Sequence, residues 1–116
     1  MRHTEENMQI AAVRWFDYQY AEYSKLLIHP PNGGYRNAAE AARFKAMGTR
    51  AGCPDLILLV ARNEYNALCV ELKTDKGKQT TLQKEWQIAA EKHGNRYVIV
   101  RSIEEFIEII KEYINN

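Results

Sequence analysis

Two short runs, separated by five mostly polar residues, constrain the fold of this chain most. The first is continuously apolar after Asp55 and covers residues 55–61, and the second covers residues 67–73. A continuous apolar run of this length is typical of a strand that is buried on both faces. Because only residues 62–66 lie between the two runs, the simplest arrangement is an antiparallel hairpin. The sequence therefore predicts strand 55–61 paired with strand 67–73.

Helical and extended patterns alternate along the rest of the chain. We expect a first helix capped by Thr4, with apolar residues at helical spacing up to position 20, and further helices at 37–47, 82–93 and 103–114. Thr80 or Thr81 would cap the helix at 82–93, and Ser102 would cap the helix at 103–114. Strands are predicted at 26–28, before a loop rich in Pro and Gly, and at 96–101. The order α, β, α, β, β, α, β, α predicts one domain over residues 1–116, of the α/β class, with a mixed four-stranded sheet flanked by helices.

The composition argues against several classes of protein. Hydrophobic residues make up 46% and charged residues 27% of the chain, as in ordinary globular domains. No apolar run approaches the roughly 20 residues of a membrane-spanning helix, and the N-terminus lacks the apolar stretch of a signal peptide. Cys53 and Cys69 have the spacing of neither a zinc site nor a disulfide scaffold. We expect a cytoplasmic protein, acting in a bacterium or, if the gene belongs to a phage, in the host cell.

Positive charge is concentrated in the middle of the chain. The formal net charge is only +1, but residues 36–50 and 73–84 each contain four basic residues and one acid. Residues 104–112, by contrast, contain four glutamates and one lysine. A phosphate backbone could bind the basic middle of the chain, although solvated helix faces produce similar runs.

Two acids and a lysine lie at the open end of the predicted hairpin. If the turn centres near Asn63, Asp55 lies opposite Glu71, about 5 Å away, where two carboxylates can share one cation. Glu71 and Lys73 are two residues apart and point to the same face of the sheet. A hard cation such as Mg²⁺ prefers oxygen ligands and strengthens a water nucleophile. In the alternative reading, Asp55 ends a turn and Glu71 with Lys73 forms a solvated pair. The convergence of all three favours a site.

The residues at this end of the hairpin resemble a nuclease signature. Pro-Asp at 54–55 and Glu-Leu-Lys at 71–73 resemble the PD-(D/E)XK pattern, and Gly-Cys-Pro-Asp-Leu at 52–56 resembles the GxPDL element of the VRR-NUC (virus-type replication-repair nuclease) family. Other positions fit the same family in the expected order: Glu5, Gln9, Asn32, Gly33, Gly34, Gln83 and Trp86. The resemblance implies a PD-(D/E)XK, restriction-endonuclease-like fold and a deoxyribonuclease activity that depends on Mg²⁺ or Mn²⁺.

The resemblance also implies roles for individual residues. Asp55 and Glu71 would be direct metal ligands, with the backbone carbonyl of Leu72 as a third. Lys73 would be the catalytic lysine. Glu5, on the first helix, would hold water bound to the metal; its structural alternative is a solvated acid favoured by the helix dipole.

Four more residues are candidates for contact with DNA. Gln83, at the start of the third helix, could contact a phosphate and support catalysis, or be an ordinary residue of a first helical turn. Lys76 and Lys78 could bind the DNA backbone, although exposed loop lysines are common. Asn32 could touch DNA or merely shape its turn.

The family further implies a substrate and an assembly. Its stand-alone members act as homodimers on branched DNA such as Holliday junctions, in DNA repair or recombination. Two sites related by a two-fold axis would suit paired cuts, and either the apolar last helix or the Tyr-rich first helix could supply the interface. Two alternatives stay open: the same nuclease acting on flap or duplex DNA, and a nuclease-like fold that binds DNA without cutting it.

Overall fold

The polypeptide forms one four-stranded sheet with helices packed against it. The computed structural model describes residues 3–31 and 37–116. The helices are α1 (His3–Gln19), α2 (Ala38–Ala46), α3 (Thr81–Lys92) and α4 (Ile103–Ile114), with a 3₁₀ helix at Ala21–Leu26 that the sequence did not predict. The strands are β1 (Leu27–Ile28), β2 (Leu56–Leu58), β3 (Leu68–Leu72) and β4 (Arg96–Val100). The predicted order of elements and the mixed sheet are confirmed.

The strands follow one another across the sheet in chain order, β1-β2-β3-β4. β1 with β2 and β2 with β3 are antiparallel, whereas β3 and β4 are parallel. A parallel pair needs a long connection from one end of the sheet to the other, and α3 supplies it. Strand β3 is therefore an inner strand that is paired on both sides. A charged side chain on this strand is attached to a backbone that solvent does not reach.

The hairpin between β2 and β3 turns at Asn63 and Glu64, whose φ angles are +52° and +73°. Two successive residues in the left-handed region match the twist of a two-residue hairpin turn. Arg62 and Tyr65 form a bridge on either side of this turn. The predicted antiparallel hairpin with its turn near Asn63 is confirmed.

The first strand of the hairpin is shorter and less buried than predicted. Residues 59–61 oppose only residues 66–67, and the extra residue interrupts the ladder after Leu58. Leu59 is 51% exposed and Ile57 is half-buried, so the prediction of a strand over 55–61 buried on both faces is wrong. β3, in contrast, is buried along its whole length.

The hydrophobic core lies on one face of the sheet, against α1 and α4. Its most completely buried apolar side chains are Ala12, Phe16, Leu56, Leu58, Leu68, Val70, Leu72, Val100, Phe106 and Ile110. The even-numbered residues of β3 point into this core, so the odd-numbered ones point to the other face. There Trp86 of α3 packs on Tyr97 of β4, with ring centroids 6.2 Å apart. Among the described residues, none of the helices combines the length and apolarity required to span a membrane.

Side-chain caps begin three of the helices. Asn37, Thr80 and Ser102 each accept a hydrogen bond from the backbone N–H three residues further on. Of the two caps that the sequence allowed for α3, Thr80 and Thr81, the structure has Thr80, and the predicted cap at Ser102 is confirmed. The predicted cap at Thr4 is wrong, because α1 already begins at His3 and a cap residue needs an extended backbone rather than a helical one.

Candidate active site

The open end of the hairpin brings Asp55 next to Glu71 and Leu72. Leu56 pairs with Val70, and one step outward along this register places Asp55 opposite Glu71. The backbone N–H of Leu72 donates a 2.7 Å hydrogen bond to Asp55 Oδ2. The structure thus places both carboxylates on one face of the sheet, at the ends of neighbouring strands.

Glu71 is a buried carboxylate, only 1% exposed, on the inner strand. Its Oε1 accepts a hydrogen bond from the hydroxyl of Tyr97, and its Oε2 lies 3.2 Å from Lys73 Nζ. Burial of an ionised carboxylate is unfavourable unless charge or hydrogen bonds compensate for lost hydration. The lysine and the tyrosine supply that compensation here.

Lys73 is held between β3 and the start of α3. Its Nζ donates a 3.0 Å hydrogen bond to Gln83 Oε1, and the same oxygen accepts a 2.8 Å hydrogen bond from the backbone N–H of Thr80. Gln83 also occupies the N3 position of a capping box in which Thr80 is the N-cap residue. The sequence predicted Gln83 near the site, and the structure places it against the lysine.

The Gly-Cys-Pro-Asp turn packs directly on α3. Gly52 has a φ of +84°, and a Cβ at this position would lie 2.4 Å from the carbonyl oxygen of Leu82. Only glycine combines this backbone conformation with so close an approach. The contact between Gly52 and Leu82 fixes the position of the turn that carries Asp55 relative to the helix that carries Gln83. One packing contact therefore determines the distance between these two parts of the site.

Negative charge accumulates around Asp55. Burial raises the pKa of this carboxyl, and the nearby charges of Glu71 and Glu5 raise it further, whereas the Leu72 N–H and His29 act in the opposite direction. A carboxyl whose pKa is raised by neighbouring acids gains from a cation that neutralises them. The electrostatics of the site therefore favour a positively charged ligand.

Glu5 reaches this site from α1. A cleft of about 370 Å³ is lined by Glu5, Gln9, Asp55 and Leu72, among others. Glu5 thus lines the cleft beside Asp55, where the resemblance led us to expect it, while its role towards water stays a prediction. His29, to which the sequence assigned no role, lines the same cleft, and its Nδ1–H donates to the Asp55 carbonyl oxygen at 2.6 Å.

The donor set of the site consists of oxygen atoms from a few side chains and the backbone. Within residues 3–31 and 37–116, no three His, Cys, Asp or Glu side chains are grouped closely enough to hold an ion by themselves. Two carboxylates and one backbone carbonyl are available instead, because the N–H and C=O of Leu72 both point towards β2 and Asp55. Glu71 Oε2 is buried without a hydrogen-bond partner in the described structure. A hard cation that keeps several waters fits this set.

The basic residues after β3 border a second cleft. This cleft, of about 580 Å³, is lined by Glu5, Thr74, Lys76 and Arg101, among others, so it adjoins the site through Glu5. Arg101 Nη1 donates to the carbonyl oxygens of Thr74 at 2.6 Å and Gly77 at 2.9 Å and thereby braces the loop. Lys76 and Lys78 are exposed. Asn32, the remaining candidate for DNA contact, lies outside the described residues.

Comparisons with known proteins agree with this geometry. The VRR-NUC domain family model matches residues 3–104. A solved structure described as "VRR_NUC domain protein" is similar with a TM-score of 0.83 and 33% sequence identity, over 97% of this chain and 88% of that chain. No match was found among curated proteins. The chain therefore belongs to the VRR-NUC domain family, and its fold is that of a PD-(D/E)XK-type nuclease.

Proposed function

We propose that this protein is a Mg²⁺- or Mn²⁺-dependent endonuclease that hydrolyses phosphodiester bonds in DNA. The observation that carries the proposal is the placement of Asp55 opposite the buried Glu71 at the ends of neighbouring strands. Glu71 Oε2 faces the Lys73 ammonium group at 3.2 Å and has no hydrogen-bond partner of good geometry among the described residues. Asp55, Glu71 and the Leu72 carbonyl would hold the cation. Action in the cytoplasm stays a prediction from the sequence.

The chain's own residues then have distinct tasks. When bound, the cation supplies charge stabilisation at the phosphate and a stronger water nucleophile. Lys73 offers a cationic donor beside Glu71, suited to a phosphate oxygen or to the attacking water, and Gln83 holds that ammonium group in place. Glu5 lines the same cleft as Asp55 and is placed to orient water. Hydrolysis forms one P–O bond to the oxygen of the attacking water, which loses a proton, and breaks one P–O ester bond, whose leaving oxygen takes up a proton.

DNA would lie along the two adjoining clefts. Lys76 and Arg101 line the larger one, and Lys78 is exposed on the same loop. The logarithm of the binding constant falls linearly with the logarithm of the salt concentration, and each phosphate contact that is lost makes this slope shallower by roughly one. We expect Lys76→Ala and Lys78→Ala each to weaken binding to any DNA in this way, in filter-binding titrations against salt. Lys111→Ala, which removes an exposed lysine of α4, is the control, and an equal effect of Lys111→Ala would contradict this DNA path.

The finer proposal is a homodimer that acts on branched DNA. Of the two interfaces considered from the sequence, α1 is better supported, because Tyr18 is 87% exposed, whereas the apolar residues Phe106, Ile110 and Ile114 of α4 are already buried within the chain. A two-fold arrangement would present two sites to a symmetric junction. We expect Tyr18→Glu to shift the protein to monomers in sedimentation experiments, and a wild-type monomer would overturn this part.

A cleavage panel tests the activity and its substrate together. Four-way junction, flap and linear duplex DNA of matched length are incubated with Mg²⁺, and the junction should be cut at least about tenfold faster than duplex. Asp55→Asn and Glu71→Gln should each lower the rate by about 100-fold or more while retaining most DNA affinity. Glu104→Gln, a change at an exposed acid of α4, should leave the rate unchanged.

Each outcome of the panel separates the alternatives. Equal rates on all substrates would replace the junction proposal with a general duplex or flap nuclease. Undiminished cleavage by Asp55→Asn would show that the site is wrongly assigned. A wild type that binds DNA but cuts none of the substrates would instead favour a non-catalytic DNA-binding module. The buried Glu71–Lys73 pair argues against that module, since a pure binding surface gains nothing from burying two charges.

A further inference from the structure

The hydroxyl of Tyr97 is bound to the carboxylate of Glu71, although the two residues lie 26 positions apart in sequence. Tyr97 is in register with Cys69 across the parallel β3–β4 pair. Cys69 and Glu71 are two residues apart on β3 and share one face of the sheet, so the side chain of Tyr97 lies on the same face as Glu71. This face is the one that carries the candidate active site. The contact is thus a product of strand pairing.

The tyrosine is itself held in place. Its ring packs on Trp86 of α3, with centroids 6.2 Å apart and planes inclined by 50°, and only 7% of the residue is exposed. A side-chain hydrogen bond with Gln79 also reaches this hydroxyl. Because an ionised carboxylate offers only acceptor oxygens, the Tyr97 hydroxyl acts as the donor towards Glu71.

The two oxygens of Glu71 are consequently not equivalent. Oε1 is engaged by a neutral donor on a rigid ring. Oε2 lies 3.2 Å from a lysine ammonium and lacks a hydrogen bond of good geometry in the described structure. A cation can displace the Lys73 ammonium group from Oε2 more readily than it can displace the Tyr97 hydroxyl from Oε1. The ammonium group keeps a second partner, Gln83 Oε1, whereas the hydroxyl is carried by a ring that packs on Trp86.

From this arrangement we infer that Tyr97 is a positioning residue for the cation site: its hydroxyl fixes the rotamer of Glu71 and leaves Oε2 as the one Glu71 oxygen that binds the ion. The inference rests on the proposed metal-dependent function. Partners that orient a metal ligand in this way commonly change metal affinity by about 10- to 100-fold. A purely structural hydroxyl would change stability alone.

The test compares two buried tyrosines. Tyr97→Phe removes the hydroxyl bound to Glu71, and Tyr113→Phe removes one that donates to the Val60 carbonyl at 2.6 Å, away from the site. Mn²⁺ affinity is measured without DNA by calorimetry and by electron paramagnetic resonance of free Mn²⁺, and folding is checked by circular dichroism. We expect Tyr97→Phe to raise the Mn²⁺ dissociation constant by about tenfold or more and Tyr113→Phe to leave it within about twofold.

The outcomes distinguish this inference from the proposed function. If the wild type binds Mn²⁺ and Glu71→Gln does not, the cation site stands. Wild-type affinity in Tyr97→Phe would then overturn the role of Tyr97 alone. If the wild type does not bind Mn²⁺, the proposed function fails first and this inference fails with it. Should Tyr97→Phe not fold, Gln79→Ala provides the second variant: a loss of Mn²⁺ affinity of about twofold or more is expected there, and no loss would overturn the inference.

Discussion

Asp55 Oδ2 accepts a 2.7 Å hydrogen bond from the backbone N–H of Leu72 across the open end of the hairpin. This bond links the turn before β2 to the last residue of β3, so the position of the carboxylate depends on the register of the two strands. A slip of one residue would turn Glu71 to the opposite face of the sheet. The candidate site and the hairpin are therefore one structural unit.

The first prediction concerns pH. Because burial and neighbouring acids raise the pKa of Asp55 in the folded state, the folded protein holds this proton more tightly than the unfolded chain. The stability that this group contributes is fully present below the ordinary Asp pKa and is lost as pH rises through the raised value. In metal-free buffer at pH 7, Asp55→Asn should therefore melt above the wild type. The difference in melting temperature should shrink as the pH falls from above the raised pKa of Asp55 to below its ordinary pKa. A melting temperature of Asp55→Asn below that of the wild type at pH 7 would show that the ionised Asp55 does not destabilise the fold.

The second prediction concerns the turn at Gly52. A Cβ there would lie 2.4 Å from the Leu82 carbonyl oxygen, on a backbone with φ +84°, so Gly52→Ala should lower the free energy of unfolding by about 2–4 kcal/mol. The matched control is Gly48→Ala, where φ is +110° but nothing lies within 4 Å of the added Cβ. It should lower the unfolding free energy by only about 1 kcal/mol. Equal losses in urea denaturation would show that the approach to Leu82 is unimportant.

The third prediction concerns the buried ion pair. Lys73→Met leaves Glu71 without its cation, and we expect a loss of about 3 kcal/mol in unfolding free energy. The double variant Glu71→Gln with Lys73→Met should recover most of that loss, because no uncompensated charge remains. Lys84→Met, at an exposed position of α3, should change stability by less than about 0.5 kcal/mol. A double variant as unstable as Lys73→Met would refute the electrostatic explanation.

The fourth prediction separates the two functions of the capping box. Gln83→Ala removes both the capping side chain and the acceptor of the Lys73 hydrogen bond, whereas Thr80→Ala removes only the cap. Both should lower stability by about 1 kcal/mol. Only Gln83→Ala should slow single-turnover DNA cleavage, by about tenfold. If Thr80→Ala slows cleavage equally, Gln83 acts through helix stability and not through the lysine.

Local patterns were sufficient for much of the fold. The hairpin over β2 and β3 was predictable because two strands so close in sequence can pair in few ways, and Thr80 and Ser102 were predictable as caps because the cap bond is formed within three residues. The opposition of Asp55 and Glu71 followed from counting residues around a turn near Asn63. These relationships depend only on chain connectivity and on the period of a strand.

The contacts that complete the site depend on pairing between distant segments. His29 reaches Asp55 because β1 pairs with β2, and Tyr97 reaches Glu71 because β4 pairs with β3. The exposure of Leu59, which the sequence predicted to be buried, likewise followed from an interrupted strand ladder. The sequence by itself determined which groups the site contains and the local elements that carry them. Only the tertiary structure decided which neighbours surround each group, because those contacts form when the sheet and its helices pack and have no local pattern of their own.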